Sequence, residues 1–540
     1  MTKTHLTARV DEATIDAIFA YLNRTDQPGA AVGISVNSSP KYRKCFGLAN
    51  MELPLLLSPT VRIRISSMTK HFTCLAYLLL CQEGRATVDD LVGDHLHDLH
   101  PVSRNVSMRQ LMGNVGGLRD AHGMHWAFSG VRAPATSADL MDYYIYDTEA
   151  EFPPGTFYKY SNGGFLLTTA VIERITGQTL EQVLRERIFE PAGMYDTLLR
   201  RSNADFVPNT ASLHASDGRG GFNKIYLGCD LAGEGGVVST LDDMLRWLAH
   251  MDTPRIGKDK TWKALLEPTR LANGEATGYG MGLCVDTFRG LQTIHHGGGN
   301  VGATSAMVKV IDAKLDIVIL MNRRDGTVGE APHLAESIIE ACLPVAEARH
   351  VKRIFERKFI GGVFKGSATD RLFEFYEKDG EQILETTRPL ILEQFGKSSW
   401  RPAVVADAAK LLIACPETAV IPSAISVTEY GVVEEFRRLE SESGSDVEGI
   451  EGGYSSAVAR CEATIARGKD GLSIKLSGAL GTVCHHLRPI AKNVWRALAS
   501  PSIGWDGGLV AFDVSGRSFK FSHSLVFPVT FHRHDEPAEK

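Results

Sequence analysis

No apolar run in the sequence is long enough to cross a bilayer. The most apolar stretch, Leu75 to Cys81, falls far short of the roughly 20 residues a spanning helix needs. There is no basic stripe, and a net charge of −6 with a pI near 6.3 leaves no electrostatic footprint for nucleic acid. There is no CxxC pair. The nine cysteines (Cys45, Cys74, Cys81, Cys229, Cys284, Cys342, Cys415, Cys461 and Cys484) are odd in number and scattered. That pattern suits neither a zinc site nor a disulfide framework, and it fits a reducing, cytoplasmic setting. The N-terminus lacks a basic-then-apolar stretch with a small-residue cleavage site, so no signal peptide is expected. It reads instead as an amphipathic helix with Ile15, Ile18, Phe19 and Leu22 on one face. No residue type dominates a composition that is 44% hydrophobic and 23% charged, as in globular proteins generally. At 540 residues the chain should hold about three domains.

Residues 1–343 mix helical patterns with short β-rich runs. Ala30 to Val36 predicts a strand, and Ser67 to Gln82 a helix ending near Gly84. Phe165 to Thr176 predicts a helix closed by Gly177. Leu180 to Phe189 predicts another stopped by Pro191. Met307 to Ile311 and Ile317 to Asn322 are strand-like, and His333 to Cys342 is helical. Strands at both ends with helices between predict an α/β sandwich whose sheet is built from both termini of the segment. After Pro344 the texture becomes alternating strands with Asp-Gly and Gly-Gly turns, as in small antiparallel β-barrels. Phe359-Ile360-Gly361-Gly362-Val363, followed by Lys378-Asp379-Gly380 and Ile383, repeats at a shift of 91. The second copy is Ile450-Glu451-Gly452-Gly453-Tyr454, then Lys469-Asp470-Gly471 and Ile474. Two barrels, 344–440 and 448–540, are expected, joined through the polar stretch Glu440 to Val447.

Ser67-Met68-Thr69-Lys70 is a Ser-x-x-Lys element that follows the apolar alternation Val61, Ile63, Ile65 and opens the apolar run HFTCLAYLLL. Three residues apart on a helix, the amine can reach the hydroxyl. At a helix N-terminus the free N–H groups and the dipole favour an alkoxide-like serine, and a desolvated lysine becomes a usable base. Alone the motif is weak, because about two would arise by chance in such a chain. Ser38-Ser39-Pro40-Lys41 is such a decoy, since Pro40 cannot sit in a helix interior. Without other motifs, Ser67 and Lys70 read equally well as a helix cap and a solvated cation.

Tyr160-Ser161-Asn162 stands in a Pro/Gly-rich loop, PPGTFYKYSNGG, that leads into a helix. The phenol can pass a serine proton to a leaving group, and the carboxamide can hold Lys70 and a substrate carbonyl. The competing reading of Tyr160 is a core tyrosine with a bonded hydroxyl. The third element is His295-His296-Gly297-Gly298-Gly299 after Leu291 to Ile294. A strand edge without side-chain bulk lets a substrate backbone, positioned by Gly297 and Gly298, lie alongside. The N–H groups of Gly299 and Ser67 would form an oxyanion hole, and one histidine would offer a polar or cationic head. No third ligand stands at a metal-binding spacing, so no metal and no cofactor are expected.

SMTK, YSN and HGG, in this order, resemble the penicillin-recognising serine hydrolases (the serine β-lactamase and DD-peptidase superfamily), in the branch with His-x-Gly. Gly116-Gly117-Leu118 resembles the family's Ser-Gly-Leu, with Gly116 in place of the serine. Glu190 to Met194 resembles its helix ending, Gly235 to Thr240 its GGLVST strand, and Tyr279 to Gly282 its YGLG. The match covers roughly residues 10 to 340, and the whole chain resembles the D-aminopeptidase branch. The resemblance implies a β-lactamase-like catalytic domain over 1–343, followed by two small β-barrels. It implies Ser67, Lys70, Tyr160, Asn162 and His296 as catalytic residues, with His296 chosen over His295 by the register of the glycines. It also implies a loop of the last β-domain that offers an acid to a substrate amine. The matching stretch, Gly478 to Leu487, has no acid but holds His485 and His486; the alternatives are that it is only a barrel hairpin, or that an acid elsewhere, such as Glu234, takes the role. No Glu-x-x-x-Asn deacylation element can be placed between Gly117 and Tyr160, which argues against β-lactam hydrolysis by that route.

The expected activity is acyl transfer through a Ser67 acyl-enzyme on D-amino-acid peptides, amides or esters. The rivals are a carboxylesterase or DD-peptidase on the same scaffold, and a catalytically silent recognition module. The expected partner is a small peptide or ester substrate, with neither nucleic acid nor membrane, and a homodimer is the assembly considered.

Overall fold

The computed structural model describes residues 6–325, 330–343, 360–385, 389–396, 398–402, 410–415, 422–441, 449–469, 471–498, 507–523 and 525–534. They form two compact units. One comprises Met1–Leu118, Thr136–Tyr146 and Phe152–Lys352, and the other Arg119–Ala135, Asp147–Glu151 and Arg353–Lys540.

The first unit is built on a six-stranded antiparallel sheet of β1 (Ala30–Val36), β2 (Ser39–Phe46), β3 (Cys284–Phe288), β4 (Leu291–Asn300), β5 (Ala303–Val310) and β6 (Leu315–Met321), in the order β3-β4-β5-β6-β1-β2. β1 pairs with β6 from Ala30↔Met321 to Val36↔Leu315, so the two ends of the segment close one sheet, as the sequence pattern predicts. All seven residues of β1 and of β6 are buried, so both are mostly apolar rather than alternating, with Ser35 and Asp316 as buried polar exceptions. Five helices matter here: α1 (Glu12–Ile18), α2 (Thr69–Gln82), α3 (Gly163–Thr176), α4 (Leu241–Asp252) and α5 (Ala331–Cys342). Gly33 lets α4 approach β1, because a Cβ there would lie 2.8 Å from Leu245 Cδ1. α2 is buried from Thr69 to Leu80, as expected of a helix apolar on every side.

Two expectations change in detail. The helix from Leu180 does not stop before Pro191. It widens into a π turn over Arg185–Phe189, continues through Glu190–Ala192, and ends at Gly193 with φ +74°. A widened turn accommodates a residue that has no N–H to donate. At the N-terminus, Ile15, Phe19 and Leu22 are fully buried, but the α-helix gives way to a 3₁₀ turn at Ala20–Leu22. Among the described residues, no helix is long and apolar enough to cross a membrane.

The second unit contains two closed eight-stranded antiparallel barrels, so the fold class read from the sequence holds. In the first, Gly362–Gly366 closes against Val432–Arg438 around Phe364, Phe373, Phe375, Trp400 and Phe436. In the second, Gly452–Ser456 closes against Val526–Arg533, with Phe519 stacked on Phe531 at 4.7 Å. The repeat is real, but its register shifts along the chain. Gly362 and Gly452 both have positive φ, and each faces an arginine of the closing strand, Arg438 or Arg533. Ile360 and Ile450 are both buried. The first strands therefore match at a shift of 90, whereas Gly380 and Gly471, both with positive φ in the hairpin turns, match at 91. Phe359 and Asp470 of the repeat lie outside the described residues, as does most of the joint Glu440 to Val447. The helix Ala121–Phe128 belongs to this unit, with Phe128 lying 5.4 Å from Phe521 and 5.7 Å from Phe531.

Candidate active site

Ser67 sits in a 3₁₀ turn, Ser66–Met68, that runs directly into α2. The preceding residue, Ser66, has φ +51°, a conformation costly for a side-chain-bearing residue and held only where the surroundings fix it. Here Asn300 Nδ2 donates to Ser66 Oγ at 3.0 Å, and Ser305 Oγ donates to Ile65 O at 2.8 Å. Thr69 Oγ1 accepts from Val237 N at 3.1 Å. Gly298 completes this seat, since a Cβ there would stand 2.3 Å from Ile65 O and 2.2 Å from Ser305 Oγ. Its neighbour Gly299 would meet nothing within 4 Å. β3 pairs with β4 only as far as His295, so the segment from His296 to Asn300 extends beyond its neighbour and offers backbone to an added strand.

Lys70 has no exposed surface. Its Nζ lies 2.8 Å from Asn162 Oδ1, 2.6 Å from Glu234 O and 3.2 Å from Ser67 Oγ. The first two partners can only accept. Nζ is the donor in all three contacts, so a charged Lys70 gives one proton to each, and the bond to Ser67 Oγ is the one whose direction a proton transfer would reverse. Nζ also stands over the Tyr160 ring, 4.7 Å from its centroid.

Asn162 occupies the N-cap position of α3 but makes no capping bond. Ser161 Oγ instead accepts from Gly164 N at 3.3 Å, which frees the Asn162 carboxamide for Lys70. Asn114, at φ +59°, accepts from Ser161 N at 3.1 Å through its side chain and from Lys159 N at 2.9 Å through its carbonyl. Asn114 therefore holds the Tyr-x-Asn loop in place, and no motif in the sequence marks it. Gly116 has packing reasons of its own: a Cβ would sit 3.0 Å from Val106 Cγ1 and 3.2 Å from Leu111 Cδ2.

The two adjacent histidines point to opposite sides of β4. His295 Nε2 meets Asp286 Oδ1 at 3.1 Å, while His296 faces Tyr160 and Tyr279, with ring centroids at 6.2 and 5.8 Å. His296 Nε2 lies 3.1 Å from Tyr279 OH and Nδ1 lies 2.5 Å from Gly297 O. Burial, reinforced by the Lys70 charge, pushes its pKa down to about 3. Such a shift favours a neutral ring over the cationic head that the sequence allowed. Ser67, Lys70, Tyr160, Asn162 and His296 are thus brought together within the first unit.

His485 and His486 are not in a loop. They sit in the strand Gly481–Ala491 of the second barrel, paired with Ile474 and Ser473, and His485 Nδ1 meets Leu498 O at 3.1 Å. The stretch expected as a loop is a hairpin with a two-residue turn after Gly478.

Residues 14–339 match the family described as Beta-lactamase, and the chain belongs to that family, a family of serine hydrolases. The resemblance carried by SMTK, YSN and HGG is borne out. The D-aminopeptidase of Brucella canis is 27% identical over 361 residues, which are 64% of this chain and 65% of the relative. The chain therefore spans slightly less than two thirds of that relative's length. Among solved structures, the octameric penicillin-binding protein homologue from Pyrococcus abyssi is 19% identical, with a TM-score of 0.56 over 79% of this chain and 100% of its own. The D-amino acid amidase from Ochrobactrum anthropi SV3, complexed with L-phenylalanine amide, is 22% identical, with a TM-score of 0.52 over 61% of this chain and 97% of its own. At these identities the structural likeness speaks for the fold.

Proposed function

We propose that this chain is a D-aminopeptidase-like serine hydrolase in which Ser67 is the nucleophile. The observation that carries this is the buried Lys70 amine, held by two pure acceptors with its third direction on Ser67 Oγ. In the proposed reaction Ser67 Oγ attacks the substrate carbonyl carbon, and its proton leaves through Lys70 and Tyr160 to the departing amine or alcohol. The oxyanion rests on the backbone N–H groups of Ser67 and Gly299, and water then hydrolyses the ester. Asn162 orients Lys70. His296 is a neutral wall of the cleft, and Gly297 and Gly298 give the substrate backbone access to the strand edge. The class of substrate, D-amino-acid peptides, amides or esters, is inferred from the names of the relatives.

Carboxylesterase activity is the second reading. It is favoured by the absence of any Asp or Glu between Gly478 and Leu487, the stretch matching the one from which the resemblance implies an acid for a substrate amine. A substrate ammonium without a carboxylate partner forgoes a charge-assisted bond of about 1.5–3 kcal/mol. The proposed division of the chain is a catalytic domain over 1–343 and barrels over 344–440 and 448–540. A cytoplasmic setting is proposed because the nine cysteines are odd in number and scattered, with no CxxC pair. A homodimer is the assembly proposed, and light scattering separates it from a monomer or an octamer.

A panel of D- and L-aminoacyl anilides beside a short-chain ester tests the function. Turnover of the D-anilides is expected, with kcat/KM for D-alanyl anilide and its N-acetyl form within about a hundredfold, near 2.7 kcal/mol. A larger preference for the free amine refutes weak amine selection. Failure to turn over any of these, or to label with a fluorophosphonate, makes the chain a silent recognition module.

A further inference from the structure

Tyr279 stands in a turn that leaves it little freedom. It is 2% exposed, and its N–H donates to Thr277 Oγ1 at 3.1 Å while its carbonyl accepts from Thr269 N at 2.7 Å. The glycines that follow allow close packing. A Cβ on Gly280 would lie 2.5 Å from Leu265 O, and one on Gly282, at φ +77°, would lie 2.6 Å from His71 N. The tyrosine is thereby wedged between two groups of the site. Its ring is perpendicular to that of Tyr160 at 6.4 Å and set at 73° to that of His296 at 5.8 Å.

The proton positions follow from the partners. Gly297 O, 2.5 Å from His296 Nδ1, can only accept, so Nδ1 carries the proton. A neutral ring then has an unprotonated Nε2, and the Tyr279 hydroxyl at 3.1 Å must donate to it. Both ring nitrogens are engaged by the protein. The charged or titratable groups that face the ring are Lys70 and His71 of α2, Tyr160 of the loop, Tyr279, and His295 on the same strand. Lys70 and burial both oppose a positive ring.

The geometry points to Tyr279 as a positioning residue that locks His296 as a neutral, Nδ1-protonated imidazole and braces the Tyr160 ring beside it. This rests on the reading of the site proposed above and adds a division of labour. His296 moves no proton, so proton traffic is left to Lys70 and Tyr160. Removing the Tyr279 hydroxyl withdraws the donor that favours the neutral ring, so the pKa of His296 moves up towards its ordinary value. The acid side of the activity profile should then move to higher pH.

The direct test uses the wild-type protein labelled with ¹⁵N-histidine, with the His296 signals assigned by their absence in His296→Gln. The ring should remain neutral with its proton on Nδ1 from about pH 5 to 8. A proton on Nε2, or a charged ring within that range, overturns the proposal. Tyr279→Phe should lower kcat on a short ester about tenfold with KM within about twofold, and the acid side of its pH profile should move to higher pH than in wild type. A profile of unchanged shape, merely scaled down, likewise overturns it. Should the variant fold poorly, the wild-type spectrum decides. Ser67→Ala separates the two claims, because loss of the nucleophile abolishes turnover and leaves the His296 signals in place.

Discussion

Gly298 and Gly299 are neighbours on β4, yet a methyl group should have opposite effects at the two. At Gly298 the added Cβ would stand 2.3 Å from Ile65 O. That oxygen is backbone and is held by Ser305 Oγ, so no side-chain rotation relieves the clash. Strand and turn must part by roughly 0.7 Å before the contact reaches 3.0 Å. Overpacking of this kind costs about 1–3 kcal/mol, and in a unit of this size each kcal/mol lowers Tm by about 2–4 °C. The displaced segment carries Ser66 and Ser67 at one end and the Gly299 N–H at the other. Misplacement approaching 1 Å costs about a hundredfold in rate. Gly298→Ala should therefore lose both Tm and kcat/KM. Gly299→Ala, whose Cβ meets nothing, should hold its stability within about 0.5 kcal/mol and raise KM, because the methyl enters the space left for substrate. Calorimetry and ester kinetics on both variants measure this. A Gly298→Ala protein as stable and active as wild type would refute the packing of β4 on the Ser67 turn.

Other substitutions probe the proton path and the loop. Lys70→Ala and Tyr160→Phe combined should be little worse in kcat than the more damaging single change, because both act on the Ser67 proton. Losses that simply multiply would show they act on different protons. Asn162→Ala should cost about 1.5–3 kcal/mol, or roughly 10- to 150-fold in kcat/KM. Ser161→Ala, which removes the true cap of α3, should cost about 0.5–2 kcal/mol of stability instead. Equal effects of the two on activity would contradict this division. His296 is held at about 3 against an ordinary 6.5, so the unfolded chain binds its proton more readily. Its contribution to stability is present above about pH 6.5 and is lost as pH falls towards 3. Urea midpoints at pH 7 and pH 4 should differ less in His296→Gln than in wild type, and an unchanged difference would argue against a buried neutral ring.

The serine, lysine and carboxamide were legible because each stands in a short motif whose local structure the neighbouring residues specify. The glycine register selects His296 over His295, and strand alternation sets the two rings on opposite sides of β4. What could not be read is what depends on distant packing. Asn114 holds the Tyr160 loop from 47 positions away. Phe128 pairs with Phe521 and Phe531, so nothing near it in sequence assigns Arg119–Ala135 to the second unit. Glycines at 478 and 481 suit a tight hairpin as well as a longer loop, and local sequence does not choose between them; the structure has the hairpin. The neutrality of His296 is a property of burial, which a sequence motif does not carry.

Every role proposed in the site depends on Ser67 being the nucleophile. Intact-protein mass spectrometry after treatment with a fluorophosphonate, followed by peptide mapping, addresses it directly. A single adduct is expected on Ser67 and none in Ser67→Ala, whose turnover should fall by many orders of magnitude, about 10⁶ in the serine-protease case. An adduct on another residue, or a Ser67→Ala protein that retains a tenth of wild-type activity, would contradict that assignment.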